Sequence, residues 1–245
     1  MGSIYESVYT VASGETDLFD LCRPSALLRF FQEAAGEHSV ALGISREELI
    51  ERHNAIWMLV RIRYELIRPI RGGETLKIRT WHRRAGGASM YRDFSIEAEG
   101  ETVGEAVSLW VVADAVTHSL LRIGSVLPAT EQTAVTDGKQ TALPRLRMPG
   151  ELAAAGVRTM VYSDADINGH VNNARYADIL CDTIALDQQE GVYPKSMQIG
   201  YLAECRPGEK IGLDMASLVN QWFVKGADAE GKARFEGSLT LDKMA

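Results

Sequence analysis

Asp166, Asn168 and His170 alternate along a polar segment that lies just before a stretch of apolar residues at helical spacing. Alternate side chains of an extended loop point the same way, so this carboxylate, amide and imidazole can converge on one cleft. Together such groups can orient a water molecule and accept its proton. The spacing therefore predicts a hydrolytic site, although Asp and Asn are also common turn residues and a single histidine is often structural.

A helix is predicted directly after this loop. Asn172 or Asn173 is a typical N-cap, and apolar residues at helical spacing continue from Tyr176 to about Leu186. The loop then lies at the positive end of the helix dipole, where backbone amides can stabilise an oxyanion. Because capping alone explains Asn172 and Asn173, we assign these two residues a structural role.

Composition is typical of a soluble globular protein: of 245 residues, 46% are hydrophobic and 24% charged, with no apolar run long enough to span a bilayer. No secretory signal is visible at the N-terminus, so cytoplasm is the expected compartment. Cys22, Cys181 and Cys205 are odd in number and widely spaced, which favours reduced thiols over disulfides or a zinc site. The histidines are also scattered, and we expect neither a metal nor a cofactor.

Basic residues are concentrated in one segment of an acidic chain. Residues 61–92 contain nine Lys and Arg against two Glu, while the formal net charge of the whole chain is -7. The overall acidity argues against nucleic acid as a partner, whereas a local basic surface can attract an acidic protein. Arginines alternating along the solvated face of a strand are the alternative interpretation.

The order of elements is repeated. The first predicted helix runs from Pro24 to near Gly43, and strands with alternating apolar residues follow it at 58–66 and, in the second half, at 197–201. Gly73-Glu74 is matched by Gly208-Glu209 at the turns that follow. The order of a helix followed by antiparallel strands occurs twice in the sequence. It predicts an α+β fold in which each sheet wraps its own helix. The predicted domains are 1–128 and 151–245, joined by a linker at 129–150.

At this level of detail the chain resembles the acyl-acyl carrier protein thioesterases, whose fold is a double hotdog. The strongest match is Asp166-x-Asn168-x-His170-Val171-Asn172-Asn173-x-x-Tyr176, followed by Glu204-Cys205. Weaker matches are Trp81 before Gly86, Tyr91-Arg92-Asp93-Phe94, and Ser108-x-Trp110. The resemblance covers nearly the whole chain. It implies hydrolysis of the thioester between a fatty acyl chain and acyl carrier protein, without metal or cofactor.

The resemblance also implies catalytic roles for Asp166, Asn168, His170 and Glu204. We expect Glu204 to act as general base and His170 to orient water or protonate the departing thiolate. Asn168 would position water or the substrate carbonyl, and Asp166 would hold Asn168 or His170. Cys205 matches a cysteine proposed as a nucleophile in the family, which leaves a covalent route open. Neighbours on a strand face opposite ways, however, and this favours Glu204 over Cys205.

The first half has no comparable site, because its loop Asp17–Pro24 keeps acidic residues but lacks Asn-x-His. One active site per chain is therefore expected. By analogy with the family, the first half supplies the acyl pocket; the residues predicted to line it, which can equally be plain core, are Leu28, Phe31, Trp57 and Met58. Arg83 and Arg84, at a strand end of the basic segment, are predicted to guide the acidic carrier protein.

Two other functions remain open from sequence. One is an acyl-coenzyme A thioesterase on the same fold, and the other is a non-catalytic sensor that binds acyl-pantetheine. The preferred acyl length is not predicted. Two fused repeats can supply the paired sheets of a hotdog within one chain, so either a monomer or a homodimer is expected, without membrane insertion.

Overall fold

The computed structural model describes residues 3–83, 87–126 and 143–244, and these form two compact units. The first unit comprises the described residues of Met1–Thr10, Arg29–Ile62 and Thr75–Leu143, and the second comprises Val11–Leu28, Arg63–Glu74 and those of Pro144–Ala245. Two segments of the predicted 1–128 domain thus belong to the second unit. Residues 129–142 of the predicted linker lie outside the described residues.

Helix α1 spans Pro24–Ala41, as predicted. Proline suits the first helical turn because it has no N–H to leave unpaired, and the buried residues recur at helical spacing, among them Leu27, Phe31 and Ala34. A second helix, α2 (Arg46–His53), was not predicted. Its sequence signal is a capping box at its start, in which Ser45 Oγ accepts from the Glu48 amide and Glu48 accepts from the Ser45 amide.

Strands in the order β1-β3-β4-β5-β2 form the sheet of the first unit, in which β1, β3, β4 and β5 pair antiparallel and the last four residues of β2 belong to the second unit. Their bounds are β1 Ile4–Thr10, β2 Ala55–Leu66, β3 Thr75–His82, β4 Ser89–Ala98 and β5 Glu101–Asp114. Every second residue of β4 is buried, which is the pattern of a strand with one face on the core. The predicted alternation along β2 is confirmed for Ile62, Tyr64 and Leu66, which are all buried.

The second unit carries strands in the order β7-β10-β9-β8-β6. Their bounds are β6 Ala153–Thr159, β7 Val192–Tyr201, β8 Lys210–Leu218, β9 Gln221–Ala227 and β10 Ala233–Lys243. Neighbours in this order pair antiparallel, and Met197 and Ile199 of the predicted strand are buried in β7. The α+β character predicted from the sequence is therefore confirmed in each unit.

Helix α3 (Arg175–Thr183) follows the polar loop and is shorter than predicted. After Ile184 the backbone turns left-handed at Ala185, and a 3-10 turn at Leu186–Gln188 replaces the expected last helical turn. The apolar face of α3 lies close to β10, where any side chain at Gly237 would overlap Leu180. The missing side chain of Gly237 thus allows the helix to approach the sheet at Leu180.

Candidate active site

Asp166 closes the loop that carries the predicted residues. Its Oδ1 accepts a hydrogen bond from the Asn168 amide (2.8 Å), and its own amide donates to the His170 carbonyl (3.1 Å). Gly169 has a φ of 78°, in the left-handed region that glycine adopts most readily. The expected support of Asn168 by Asp166 therefore exists, through the Asn168 backbone. His170 is presented at the end of this closed turn.

Asp164 anchors the start of the same loop. Its buried carboxylate accepts from the Val161 amide (2.9 Å) and from Arg158 (2.9 Å), while its carbonyl accepts from the Asn172 amide (2.9 Å). These bonds fix both ends of the segment between Val161 and Asn172. A loop tied at its ends and at its centre can hold reacting groups in a defined geometry.

Asn172 joins the loop to α3. Its side-chain oxygen accepts from the Ala174 amide (2.9 Å), and its side-chain nitrogen donates to Asp166 Oδ2 (3.0 Å). These bonds give Asn172 a structural role, but the N-cap position of α3 is Ala174, without a side-chain cap bond, so the prediction of Asn172 or Asn173 as N-cap is wrong. The Ala174 and Arg175 amides, however, are bound by the Asn172 side-chain oxygen and carbonyl, so our expectation of free oxyanion donors at the helix start is wrong for these two amides.

His170 and Glu204 meet across two loops. His170 Nε2 lies 3.7 Å from Glu204 Oε1, and the side chains are 26% and 33% exposed, so solvent reaches both. Glu204 lies in the connection after β7, and not on the strand as predicted. This connection is tied to the His170 loop because the Val171 amide donates to the Cys205 carbonyl (2.8 Å). The structure thus brings together residues separated by 34 positions in the sequence.

Cys205 is 0% exposed, and burial raises the pKa of its thiol. Tyr176 acts in the opposite direction and lowers the pKa of this thiol, but burial is the larger cause. A raised thiol pKa reduces the thiolate fraction that nucleophilic attack requires. Glu204 is partly exposed where its neighbour Cys205 is buried, so the two side chains differ in burial as expected for neighbours on a strand.

Asn168 shares the turn with Asp166 and is exposed.

The four residues predicted to line an acyl pocket are buried to different degrees: Leu28 and Phe31 are buried, and Trp57 and Met58 are half-buried. The Phe31 ring packs against Phe94 with 4.9 Å between centroids. Contact with a substrate remains a prediction for all four.

Much of the basic segment is neutralised by neighbouring carboxylates. Arg83, predicted to be exposed, has only 11% of its side chain accessible because Asp93 binds it through two hydrogen bonds, and its guanidinium also lies over the Tyr91 ring. The expected exposure of Arg83 is therefore wrong. Arg84 lies outside the described residues. The other basic residues of the segment with carboxylate partners are Arg63, Arg68, Lys77 and Arg79.

A contact that the sequence did not predict involves Arg234 of β10, whose guanidinium donates to the Glu204 carbonyl (2.5 Å). No local motif marks Arg234, because it lies 30 residues beyond Glu204.

Within the described residues, no three or more His, Cys, Asp or Glu side chains are grouped to hold a metal ion. Nor does any helix in residues 3–83, 87–126 and 143–244 have the length and apolar character of a membrane span.

The repeated helix and antiparallel sheet define a tandem hotdog protein. Residues 2–127 match the acyl-ACP thioesterase N-terminal domain and residues 156–235 match the acyl-ACP thioesterase C-terminal domain. The chain therefore belongs to the acyl-ACP thioesterase family.

Individual relatives are distant in sequence. The chain is 24% identical over 259 residues to the chloroplastic palmitoyl-acyl carrier protein thioesterase of Gossypium hirsutum, covering 100% of this chain and 62% of that protein. It is 23% identical over 223 residues to chloroplastic oleoyl-acyl carrier protein thioesterase 2 of Arabidopsis thaliana, covering 84% and 60%. The chain thus spans about three fifths of the length of these relatives. The crystal structure of an acyl-ACP thioesterase from Bacteroides thetaiotaomicron has the same fold, with a TM-score of 0.83, 20% identity and 98% coverage of both chains.

Proposed function

We propose that this protein hydrolyses the thioester of a fatty acyl-acyl carrier protein, releasing a free fatty acid and the carrier thiol. The observation that carries the proposal is the solvent-accessible pair of His170 and Glu204, with Nε2 and Oε1 3.7 Å apart on two loops that are joined by the hydrogen bond from the Val171 amide to the Cys205 carbonyl. Membership of the acyl-ACP thioesterase family supports the choice of a thioester as the bond that is cleaved.

The proposed reaction begins with attack by water on the thioester carbonyl carbon. Glu204 accepts a proton from the attacking water, and the electron pair of the carbonyl moves to oxygen to give a tetrahedral intermediate. Collapse of this intermediate breaks the carbon–sulfur bond, and the thiolate leaves with protonation by His170. Asn168 positions the water or carbonyl, and Asp166 holds the turn on which Asn168 and His170 lie. A thiolate is a good leaving group, so these residues need no metal or organic cofactor.

The competing route makes Cys205 the nucleophile, with an acyl-enzyme as intermediate. Its buried position and raised thiol pKa both disfavour this route. Glu204, in contrast to Cys205, is partly exposed and lies beside His170. We therefore assign Glu204 the role of general base.

The substrate is proposed to be bound to acyl carrier protein and not to coenzyme A. Relatives are named for oleoyl, palmitoyl and dodecanoyl substrates, so family membership does not fix the acyl length. We propose that Leu28, Phe31, Trp57 and Met58 line the acyl pocket. The pairing of Arg83 with Asp93 leaves Arg84 as the better candidate of the two for contact with the carrier.

Compartment and assembly remain predictions from the sequence. The expected compartment is the cytoplasm, although the curated relatives named above are chloroplastic. All three cysteines are free, in keeping with a reducing compartment. Either a monomer or a homodimer would suit a chain that carries both repeats.

The experiment that tests the proposal measures acyl release from a series of acyl carrier proteins with different chain lengths, and from the matching coenzyme A thioesters. We expect the wild type to prefer carrier-bound substrates and Glu204→Gln to lose about 10²–10⁴-fold in rate. Glu190→Gln, which changes an exposed glutamate of the same unit, is the matched control and should retain full activity. Preference for coenzyme A would make the substrate assignment wrong, and binding without release would indicate a sensor.

A further inference from the structure

The main chain around Glu204 is bound to β10 at one residue. The amides of Leu202 and Ala203 both donate to the Arg234 carbonyl, at 2.9 and 3.0 Å. The side chain of Arg234 then turns back, and its Nη1 donates to the Glu204 carbonyl at 2.5 Å. Arg234 thus binds three successive residues of the Glu204 connection, and its contact with Glu204 is through the main chain.

Arg234 is itself held by carboxylates. Its Nε donates to Asp228 Oδ2 (3.0 Å), and its Nη2 lies 3.7 Å from Glu209 Oε1. Asp228 is fixed in turn, because its Oδ1 accepts from the Lys232 amide (2.8 Å). An arginine fixed by two carboxylates loses little further freedom when it binds a carbonyl, so it can define the position of that carbonyl.

The other side of the same connection is bound to the His170 loop. The Val171 amide donates to the Cys205 carbonyl at 2.8 Å. Arg234 therefore binds the carbonyl of Glu204 itself, and the residue that follows His170 binds the carbonyl of the next residue, Cys205. These two contacts hold the backbone of Glu204 next to the His170 loop, where the two side chains lie 3.7 Å apart.

The first repeat contains an equivalent contact between an arginine and a carbonyl, at a residue with no proposed catalytic role. Arg68 Nη1 donates to the Pro69 carbonyl (2.9 Å), and the two terminal nitrogens of Arg68 bind Glu74 at 3.0 and 2.7 Å. Pro69 and Glu74 occupy the places of Glu204 and Glu209, because each of the two glutamates accepts from the amide at the start of the matching turn. Each repeat therefore places a guanidinium on the equivalent carbonyl, although one arginine precedes that residue directly and the other comes from a distant strand.

We propose that Arg234 is a positioning residue for catalysis, which sets the Glu204 carboxylate relative to His170. This inference rests on the proposed function, in which Glu204 is the general base. Displacement of a reacting group by about 1 Å can cost about 10²-fold in rate. Loss of the Arg234 side chain removes its hydrogen bond to the Glu204 carbonyl and so loosens the peptide that carries the carboxylate.

The first test compares Arg234→Met with Arg68→Met, which removes the equivalent contact where the residue is Pro69. We expect Arg234→Met to lower kcat by about 10–10²-fold with KM changed by less than about threefold, because positioning affects the transition state more than binding. Arg68→Met should keep kcat within about twofold of the wild type. Arg234→Lys, which retains a cation and a donor, should recover part of the loss. Equal losses of kcat in the two Met variants would overturn the proposal.

A second test distinguishes positioning from general destabilisation. When Glu204 is already Gln, the further change Arg234→Met should leave the residual rate nearly unchanged, since residues that act through one another are not additive. Full additivity would overturn the role of Arg234 while leaving the proposed hydrolysis intact. Full activity of Glu204→Gln alone would instead refute the proposed mechanism.

The third measurement needs no turnover. The imidazole signals of His170 in the NMR spectrum should shift in Arg234→Met and in Glu204→Gln, because both variants alter the group that faces the ring. Arg68→Met should leave these signals in place. If the His170 signals of folded Arg234→Met or Arg234→Lys coincide with those of the wild type, Arg234 does not position Glu204, whatever the substrate proves to be.

Discussion

Asp17 and Asp166 begin two loops that close with the same hydrogen bonds. Asp17 Oδ1 accepts from the Phe19 amide (2.9 Å) and the Asp17 amide donates to the Leu21 carbonyl (2.8 Å). Asp166 makes the equivalent bonds to Asn168 and His170, at 2.8 and 3.1 Å. Each loop then joins a following connection, through the Cys22 amide to Ile70 and the Val171 amide to Cys205, both at 2.8 Å.

The side chains on these matching backbones differ in kind. In the first repeat, Phe19 occupies the position of Asn168, Leu21 occupies that of His170, and Pro69 occupies that of Glu204. Leu21 is 3% exposed, so its side chain is part of the hydrophobic core. The fold of the loop evidently requires the aspartate and the turn but not the amide, imidazole or second carboxylate. These three groups of the second repeat are thus best explained by chemistry.

The largest effect that tests this comparison is expected from His170→Leu, which gives the second loop the side chain of the first. We predict a loss of about 10²–10⁴-fold in kcat/KM, because the group proposed to assist water or the leaving thiolate is removed. The midpoint of thermal unfolding should change little, since His170 is partly exposed. Steady-state hydrolysis and a thermal scan measure the two quantities.

Leu21→Ala is the control for that variant. It should lower the free energy of unfolding by about 2–5 kcal/mol, as expected for truncation of a buried leucine, and retain turnover at temperatures where it is folded. An inactive but folded Leu21→Ala would contradict the division between a structural and a reactive loop.

A smaller effect is expected when the shared aspartate is removed from each loop. Asp17→Ala and Asp166→Ala each leave backbone donors without their carboxylate acceptor, so both should cost about 1–3 kcal/mol of stability. Only Asp166→Ala should also lower kcat, by about 10-fold or more, because its loop carries Asn168 and His170. Urea unfolding and kinetics on both variants would check this, and equal loss of activity would show that the two loops are not functionally distinct.

Acid stability is expected to depend on the two buried histidines of the first unit, His38 and His82. Burial and then the charge of Arg92 lower the pKa of His38 to about 4, and the same causes hold the pKa of His82 well below its usual value. Histidine in the unfolded chain has a pKa of about 6.5, so below that pH the unfolded state binds protons that the native state does not bind. The free energy of unfolding should therefore fall as the pH drops from about 6.5 towards 4, by up to about 1.4 kcal/mol per pH unit for each proton.

His38→Gln should make that decline less steep, which denaturant unfolding between pH 7 and pH 4.5 would measure. Comparison of the same two proteins at pH 8 separates the loss of packing from the effect of protonation. Parallel curves for wild type and variant over the whole range would show that His38 does not contribute to the acid sensitivity.

The smallest effect on activity is expected from Cys205→Ala. Because its thiol is buried with a raised pKa, removal should leave kcat within about threefold of the wild type and lower stability by about 1 kcal/mol. Cys181→Ala on α3, whose thiol pKa is also raised by burial, is the matched control. Loss of turnover in Cys205→Ala alone would favour the covalent route.

Local patterns in the sequence were sufficient for much of the fold. Proline and helical spacing predicted the bounds of α1 to within two residues, and Gly73-Glu74 and Gly208-Glu209 correctly predicted matching turns. Both kinds of signal act over a few residues, where chain geometry dominates. The end of α3 was missed because the left-handed turn at Ala185 carries no glycine to signal it.

Local sequence patterns also predicted only part of the candidate site. Residue types and spacing predicted that Asp166, Asn168 and His170 lie on one loop, and the family resemblance added Glu204. The predicted extended conformation is wrong, because the segment forms a turn closed by the bond from the Asp166 amide to the His170 carbonyl. The sequence did not reveal that Asp93 would bind Arg83, or that Ala174 and Arg175 would direct their amides to Asn172. Such pairings depend on which side chains meet across a sheet or at a helix start, and spacing along the chain does not specify them.

The sequence by itself determined the two repeats, the aspartate turns and the difference between Leu21 and His170, because these follow from residue type and short-range backbone preference. Only the tertiary structure decided that Glu204 faces His170 while Cys205 is buried, and that Arg234 binds the Glu204 carbonyl. Those relations arise when separate strands pair and loops are brought together, so they depend on contacts over distances that no local pattern encodes.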